Sequence, residues 1–342
     1  MKKPVGKTKI GFFELEGWEH ALLKKTFPAN SFELFESGGS LQKTSQIPAD
    51  LEIVSVFVNS KVDEAVLKKL PRLKFLTTRS TGFDHIDTRI CKRHQVTMSF
   101  VPGYGDNTVA EHAFGLILNL TRRLYEGISR VKETGTFSFT GLRGVDLKGK
   151  TLGVIGTGRI GRQAIKIAKG FGMKVVAFDP FPDRSAARKF LFQYVPLTKL
   201  LKVSDIITIH APYNKNTHHL INRTNIKTVK KGAYLINTAR GAIVDTAALI
   251  MALKSKILSG AGLDVLEEEG DIKDEAHFFK NPHPQAAALK TILYDHLLMR
   301  MPNVLITPHN AFNTQEALER IMATTLENIK AFLKGRPINL IS

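Results

Sequence analysis

The sequence predicts an α/β protein of two doubly wound parallel-sheet domains, one inserted into the other. Three observations predict it. Short apolar runs alternate with helical stretches along the chain, the rhythm of parallel strands joined by crossover helices. In mid-chain a glycine-rich segment, Gly156-Thr157-Gly158-Arg159-Ile160-Gly161, follows one such run and opens a helix. A chain of 342 residues is long enough for roughly two domains, and about 150 residues precede this segment, enough for a second α/β unit.

Upstream of the glycines, residues 9–13, 53–58, 74–78 and 96–100 read as strands, and residues 62–70 as a helix ending at Pro71. A longer helix starts near Thr108. There Thr108 and Glu111 have capping-box spacing, and Val109, Ala113, Leu116, Ile117, Leu120 and Leu124 form one apolar stripe. This helix is expected to link the domains. From Thr151 onward strands are expected at 151–155, 174–178, 205–209, 233–236, 260–263 and 304–307. A last helix, 314–333, has apolar positions suited to packing back on the N-terminal domain. The expected boundaries are therefore 1–106 and 311–342 for the domain built from both chain ends, and 107–310 for the inserted one.

Composition narrows the function. The hydrophobic content of 43% is that of an ordinary globular protein, and no apolar stretch approaches the roughly 20 residues needed to span a bilayer. Met1-Lys2-Lys3-Pro4 leads into a strand-like run and not into a signal sequence, and Cys91 is the single cysteine, so a cytoplasmic protein without an internal disulfide is expected. The formal charge of +18 raises the question of nucleic acid. The basic residues are scattered in pairs such as Lys24-Lys25, Lys68-Lys69, Arg122-Arg123 and Lys230-Lys231, with no long basic run and no nucleic-acid-binding motif. A basic solvated surface that attracts anionic small molecules is the expectation, with neither nucleic acid nor membrane as partner.

The glycine segment has the context of a dinucleotide site. The strand ends at Val154-Ile155, and the helix carries Ile160, Ala164, Ile167 and Ala168, so backbone N–H groups and the helix dipole face a pyrophosphate. Gly156 allows the tight turn, Gly158 the approach of the phosphates, and Gly161 close packing of helix on strand. Asp179 ends the next strand. There a carboxylate accepts hydrogen bonds from the adenosine ribose and repels a 2′-phosphate, which favours NAD over NADP; capping a helix before Pro180 is its other reading.

Three more segments set polar residues just after an apolar strand: Asn237-Thr238-Ala239-Arg240-Gly241, Asp264 with Glu269, and Pro308-His309. Ligands of open parallel sheets collect at such strand ends. With Gly153 to Gly161, His210-Ala211-Pro212, Gly262 to Glu269 and Thr307-Pro308-His309-Asn310-Ala311-Phe312, these segments resemble the NAD-dependent D-isomer-specific 2-hydroxyacid dehydrogenases along nearly the whole chain. The Pro-His-x-Ala-Phe form is more similar to the D-lactate and D-2-hydroxyisocaproate dehydrogenases than to the glyoxylate and phosphoglycerate branches. The resemblance implies a Rossmann NAD domain inserted into a flavodoxin-like substrate domain.

The chemistry of 2-oxoacid reduction explains the residue types. Arg240 supplies a fixed cation for the substrate carboxylate and the developing alkoxide. His309 supplies a proton to the carbonyl oxygen, and an acidic partner favours the imidazolium that donates it. Family spacing selects Glu269 as that partner over Glu267 and Glu268, in a run that would otherwise read as a solvated face. NADH supplies the hydride.

By resemblance, Arg159 and Ile160 hold the pyrophosphate, Ala211, Pro212 and Thr217 the adenosine side, and Thr238, Ala239 and Asp264 the nicotinamide ribose and carboxamide. Asp264 has a second reading as a turn cap. The loop Ser80-Thr81-Gly82-Phe83-Asp84-His85 resembles the family's carboxylate loop, with backbone N–H groups of Thr81 and Gly82 as the donors. Tyr104 and Phe312 would line the side-chain pocket, or serve as plain core aromatics. No metal is expected, because His218-His219, His277, His283 and His296 lack ligand spacing; His112 reads as structural. Residues 271–301 depart most from the family and hold a predicted extra helix, 286–298. Family members are commonly homodimers, and the Val109 to Leu124 stripe is the expected contact. The leading expectation is reversible reduction of pyruvate to D-lactate. The alternatives are a D-2-hydroxyisocaproate dehydrogenase, a hydroxypyruvate or glyoxylate reductase, or a non-enzymatic NAD-sensing protein like the C-terminal-binding-protein corepressors.

Overall fold

The predicted alternation takes the form of two parallel sheets, seen in a computed structural model that describes residues 7–267, 269 and 286–341. The chain divides into one unit of Met1–Tyr104 with Thr314–Ser342, and a second of Gly105–Asn313.

The first unit contains β1 (Thr8–Phe12), α1 (Glu19–Thr26), β2 (Phe32–Glu36), β3 (Ile53–Val56), α2 (Glu64–Lys69), β4 (Phe75–Thr78), α3 (Thr88–Arg93), β5 (Thr97–Ser99) and the C-terminal helix Gln315–Leu333. Its strands are parallel in the order β2-β1-β3-β4-β5, the doubly wound order of flavodoxin. Successive strand residues point to opposite faces, so neighbours in sequence enter different cores. Ile53 and Phe75 pack with Ile10, Phe12, Met322, Leu326 and Ile329 of the C-terminal helix, while Val54 and Leu76 pack with Leu67, Cys91 and Met98. Phe75 and Phe332 stack with ring centroids 4.4 Å apart.

The second unit begins with α4 (Asp106–Arg122) and α5 (Leu124–Thr134), followed by β6 (Thr151–Ile155), α6 (Arg159–Gly170), β7 (Lys174–Phe178), α7 (Arg184–Lys189) and β8 (Gln193–Tyr194). It continues with α8 (Leu197–Val203), β9 (Ile206–Ile209), β10 (Ala233–Asn237), α9 (Thr246–Lys254), β11 (Leu258–Leu263), α10 (Ala286–Met299) and β12 (Val304–Ile306). The parallel order is β12-β11-β10-β9-β6-β7-β8. Counted within the unit, this is the 3-2-1-4-5-6 order of a dinucleotide fold, extended by one strand. The order reverses between β6 and β9, which opens a crevice at their carboxyl ends.

Two expectations about α4 are corrected. The helix starts at Asp106 after Gly105, with no side-chain cap, so Thr108 and Glu111 do not form a capping box. Thr108 is buried within the helix, and Glu111 accepts from Asn107 Nδ2 at 3.2 Å. The apolar stripe is for the most part not an outer surface either, although Leu124 at its end is 44% exposed. Ala113, Leu116 and Ile117 are buried in the unit's own core with Leu152, Val154 and Ile165. By contrast α5 has no buried residue.

Outside the elements expected from the sequence lie α1, β2, α3, α5, β8 and α7 to α9. β2 reads Phe-Glu-Leu-Phe-Glu at the sheet edge and is only half-buried, so its glutamates mask the pattern. α10 lies over the expected helix of the insertion, whereas residues 271–285 of that insertion lie outside the described residues.

Candidate active site

Every motif of the second unit follows the carboxyl end of a parallel strand. The glycine segment leaves β6, Asp179 leaves β7 and His210-Ala211 leaves β9, around the crevice where strand order reverses. The Arg240, Asp264 and His309 segments leave β10, β11 and β12, three adjacent strands.

The crevice fits a dinucleotide. Gly156 has φ +89°, and a Cβ there would lie 2.8 Å from the backbone of His210 and Ala211, so only glycine lets the two loops approach. Gly158 is the N-cap of α6 and offers no side-chain cap, which leaves the first-turn N–H groups for an anion. Arg159 is exposed and pairs with Asp106 at 2.7 Å, while Ile160 packs on the core and Gly161 is buried. Buried polar atoms also await a partner there. Thr238 Oγ1 and His210 Nδ1 are enclosed and make no hydrogen bond among the described residues. Burial pushes the His210 imidazole down to about 4, so it is neutral at neutral pH.

Asp179 is not a helix cap. Its Oδ2 accepts from Thr157 N at 2.7 Å and Thr157 Oγ1 at 2.9 Å, and its Oδ1 accepts from Phe181 N at 2.9 Å, whereas Asp183 caps α7. The carboxylate thus joins the end of β7 to the glycine loop. Thr157 also meets the hydroxyl of Tyr194 at 2.8 Å, a contact without a sequence signal. Ala211 is buried, Pro212 is exposed, and the Thr217 hydroxyl donates back to Pro212 O at 2.8 Å to close their loop.

Glu269 and His309 meet. Glu269 Oε1 lies 2.8 Å from His309 Nδ1, with about a quarter of each side chain exposed, at 30% and 25%. The His309 backbone is left-handed, with φ +52°. Its N–H donates to Asp264 O at 2.9 Å. The buried Asp264 carboxylate accepts from Asn310 N at 2.7 Å, from Ala311 N at 2.9 Å and from Thr307 Oγ1 at 2.5 Å. Burial raises the Asp264 carboxyl, and the nearby His112 ring together with hydrogen bonds from Thr307, Ala311 and Asn310 outweighs it, holding the group below its ordinary value. Asp264 therefore caps the turn that carries His309, and His112 and Thr307 join it without having been singled out for that role by the sequence.

Arg240 stands half-buried at the N-cap of a 3-10 turn, Gly241–Ile243, and its Nη1 donates to Ala239 O at 2.8 Å. Asn237 braces this loop through Arg240 O at 2.9 Å and Ala239 N at 3.0 Å. Gly241 abuts the backbone of Leu266, which ties the loop to the segment leading to Glu269. A cavity of about 750 Å³ reaches Asp264, Glu269 and His309 and is otherwise mostly apolar, with Leu116, Tyr125 and Met301 in its wall.

In the first unit, Thr81 and Gly82 lie in the loop after β4, the Thr81 hydroxyl donating to Val101 O at 2.8 Å. Ser80 Oγ donates to Gly82 O at 2.6 Å and meets Thr78 Oγ1 at 2.8 Å. Tyr104 ends this unit and its carbonyl accepts from Arg320 Nε at 2.8 Å; Phe312 is half-buried in the other unit. Among the described residues no cluster of His, Cys, Asp or Glu could hold a metal ion, and no helix is long and apolar enough to cross a membrane. His277 and His283 lie outside the described residues.

Residues 114–311 match the family model of the NAD-binding domain of D-isomer specific 2-hydroxyacid dehydrogenases. The chain is 35% identical to the D-lactate dehydrogenase of Escherichia coli over 333 residues, covering 96% of this chain and 97% of that protein. It is 39% identical to the aromatic 2-oxoacid reductase of Clostridium sporogenes over 289 residues, covering 82% of this chain and 83% of that one. The crystal structure of D-lactate dehydrogenase from Aquifex aeolicus, complexed with NAD and lactic acid, superposes with a TM-score of 0.83 at 37% identity, covering 95% of this chain and 96% of that one. With a dinucleotide crevice, a full-length likeness in sequence and a matching fold, this chain belongs to the D-isomer specific 2-hydroxyacid dehydrogenases and is an NAD-dependent enzyme of that family.

Proposed function

We propose that this enzyme reduces a small 2-oxoacid, pyruvate foremost, to the D-2-hydroxyacid, with His309 as the general acid and base. The observation that carries this is the 2.8 Å contact between His309 Nδ1 and Glu269 Oε1. Glu269 holds the imidazole through Nδ1, which assigns Nε2 to the substrate. In reduction His309 Nε2 gives its proton to the carbonyl oxygen, and in oxidation it takes the hydroxyl proton back. Arg240 supports the substrate carboxylate and the charge growing on the carbonyl oxygen. Thr81 and Gly82 N–H groups bind the carboxylate, and Tyr104 and Phe312 contact the substrate side chain. Gly156, Gly158, Arg159, Ile160 and Gly161 hold the pyrophosphate, Asp179 with Ala211, Pro212 and Thr217 the adenosine, and Thr238, Ala239 and Asp264 the nicotinamide half. Bound NADH supplies the hydride.

Relatives that include an aromatic 2-oxoacid reductase and a D-2-hydroxyisocaproate dehydrogenase bring bulkier 2-oxoacids into the test. NADH oxidation over pyruvate, 2-oxoisocaproate, phenylpyruvate and hydroxypyruvate checks the reading. Highest turnover with pyruvate supports it, and absence of turnover with all four rejects it.

The homodimer we propose uses α5 and the segment after it, in place of the α4 stripe. Tyr125, Ile128 and Val131 of α5 are 61%, 54% and 45% exposed, and Phe137 and Phe139 that follow are 95% and 90% exposed. Contiguous apolar exposure of this kind marks an interaction face. A second copy covers it in an isologous contact.

A further inference from the structure

The hydrogen bonds around Asp264 run one residue further than the reaction explains. On α4, His112 sets Nε2 3.0 Å from Thr307 Oγ1 and 3.4 Å from Asp264 Oδ1. A threonine hydroxyl has one hydrogen, and that of Thr307 is donated to Asp264 Oδ1. His112 Nε2 therefore carries a hydrogen and is the donor to Thr307. The order is His112 N–H to Thr307 Oγ1, Thr307 O–H to Asp264 Oδ1, and the Asp264 carboxylate to the N–H groups of Asn310 and Ala311.

Those two N–H groups immediately follow His309. A histidine in the left-handed region is strained, and such a conformation persists only where its surroundings over-determine it. Asp264 does so twice here, through its carbonyl and its carboxylate. The His112 side chain is 22% exposed and its ring is oriented at this network, so it is not simple core filling.

We propose that His112 is a positioning residue for His309, acting through Thr307 and Asp264 to fix the direction of the catalytic imidazole. This rests on the reading of His309 as the proton donor. The role is one of aim: His112 need touch neither substrate nor cofactor.

Steady-state kinetics of the full chain with NADH and pyruvate tests it. His112→Phe keeps a planar ring without the donor, and its kcat is expected to fall about 10- to 100-fold, with both KM values within about threefold of wild type. His112→Gln places an amide N–H near the position of Nε2 and should restore kcat to within about threefold. Thr307→Val cuts the chain at its middle and should reproduce the loss of His112→Phe. In a His309→Ala background, His112→Phe should cost less than about twofold, because no imidazole remains to be aimed.

A His112→Phe enzyme with wild-type kcat overturns the proposal. So does a loss confined to KM, an equal loss in both backgrounds, or a Gln variant as impaired as Phe. If His112→Phe does not fold, His112→Gln at wild-type rate together with a slow Thr307→Val supports it, and any other pair of results overturns it. Wild-type turnover in His309→Ala alone instead removes His309 as proton donor, and the positioning role falls with it.

Discussion

Glu269 Oε1 lies 2.8 Å from Nδ1 of His309, and the two side chains reach each other across a sequence separation of 40 residues. A carboxylate at Nδ1 fixes the orientation of the ring, as the third member of a triad does for its histidine. His309→Ala is expected to lower turnover about 10²- to 10⁴-fold, the usual range for a general acid. Glu269→Gln, which keeps shape and loses charge, should lose less than that. Measured kcat values in which the Glu269 variant is the slower of the two would reverse the assignment of roles.

Arg240 tests the electrostatic half of the site. Lysine keeps the charge but not the planar fork, so Arg240→Lys is expected to lower kcat/KM by about 10²- to 10³-fold, comparable to removal of an oxyanion donor. NADH affinity, read by fluorescence titration, should change little. A lysine variant with near wild-type kcat/KM would show that charge alone suffices.

Gly156 tests the cofactor crevice. With φ +89° and the His210–Ala211 backbone 2.8 Å from any added Cβ, Gly156→Ala must displace one loop or the other. Its NADH dissociation constant is expected to rise at least about tenfold, with a stability loss above about 1 kcal/mol. An alanine variant that binds NADH as tightly as wild type contradicts the fit.

Asp264 gives a pH dependence of stability. Its carboxyl is held below the usual value of 3.8 in the folded protein, so its stabilisation is fully present above that value and is lost as pH falls through the lower folded value. Asp264→Asn should destabilise the protein by about 1–3 kcal/mol at neutral pH. The gap from wild type should narrow as acid protonates the carboxylate. Denaturant midpoints that keep a constant gap from neutral pH to about pH 2.5 would show that the native carboxyl is not depressed.

The exposed face of α5 gives an assembly prediction. Ile128→Lys with Val131→Lys places two charges on that face and should convert the proposed dimer to monomer in sedimentation velocity. A wild-type monomer overturns the proposed dimer, and a dimer indifferent to both charges places the interface elsewhere.

The elements legible in the sequence are those whose apolar run is buried on both faces, such as β3, β6 and β9, where every turn of the chain carries the signal. Among those missed, β2 is an edge strand that carries two glutamates and α5 buries nothing, whereas α9 is a core helix whose continuous apolar run from Ala247 to Leu253 shows no one-sided stripe. The capping-box expectation at Thr108 does not hold because the helix begins nearly one turn earlier, at a glycine N-cap that leaves no polar signature. At the site, strand-end position singled out Arg240, Asp264 and His309, since a polar residue after an apolar run is a local pattern. The links between them are not local. That Asp264 caps the turn of His309, that Thr157 holds Asp179, and that His112 completes the network depend on which strands lie side by side, and sheet order is written nowhere in the spacing of the motifs.

A histidine-centred site in an NAD-dependent enzyme should reduce a 2-oxoacid to one hand of the product. Chiral chromatography of the lactate formed from pyruvate and NADH tests it most directly. D-lactate in excess over any L-lactate, formed by the wild type and reduced about 10²-fold or more by His309→Ala, is the predicted result. L-lactate, or a D-lactate yield indifferent to His309, would rule out His309 as the proton donor of a D-specific reduction.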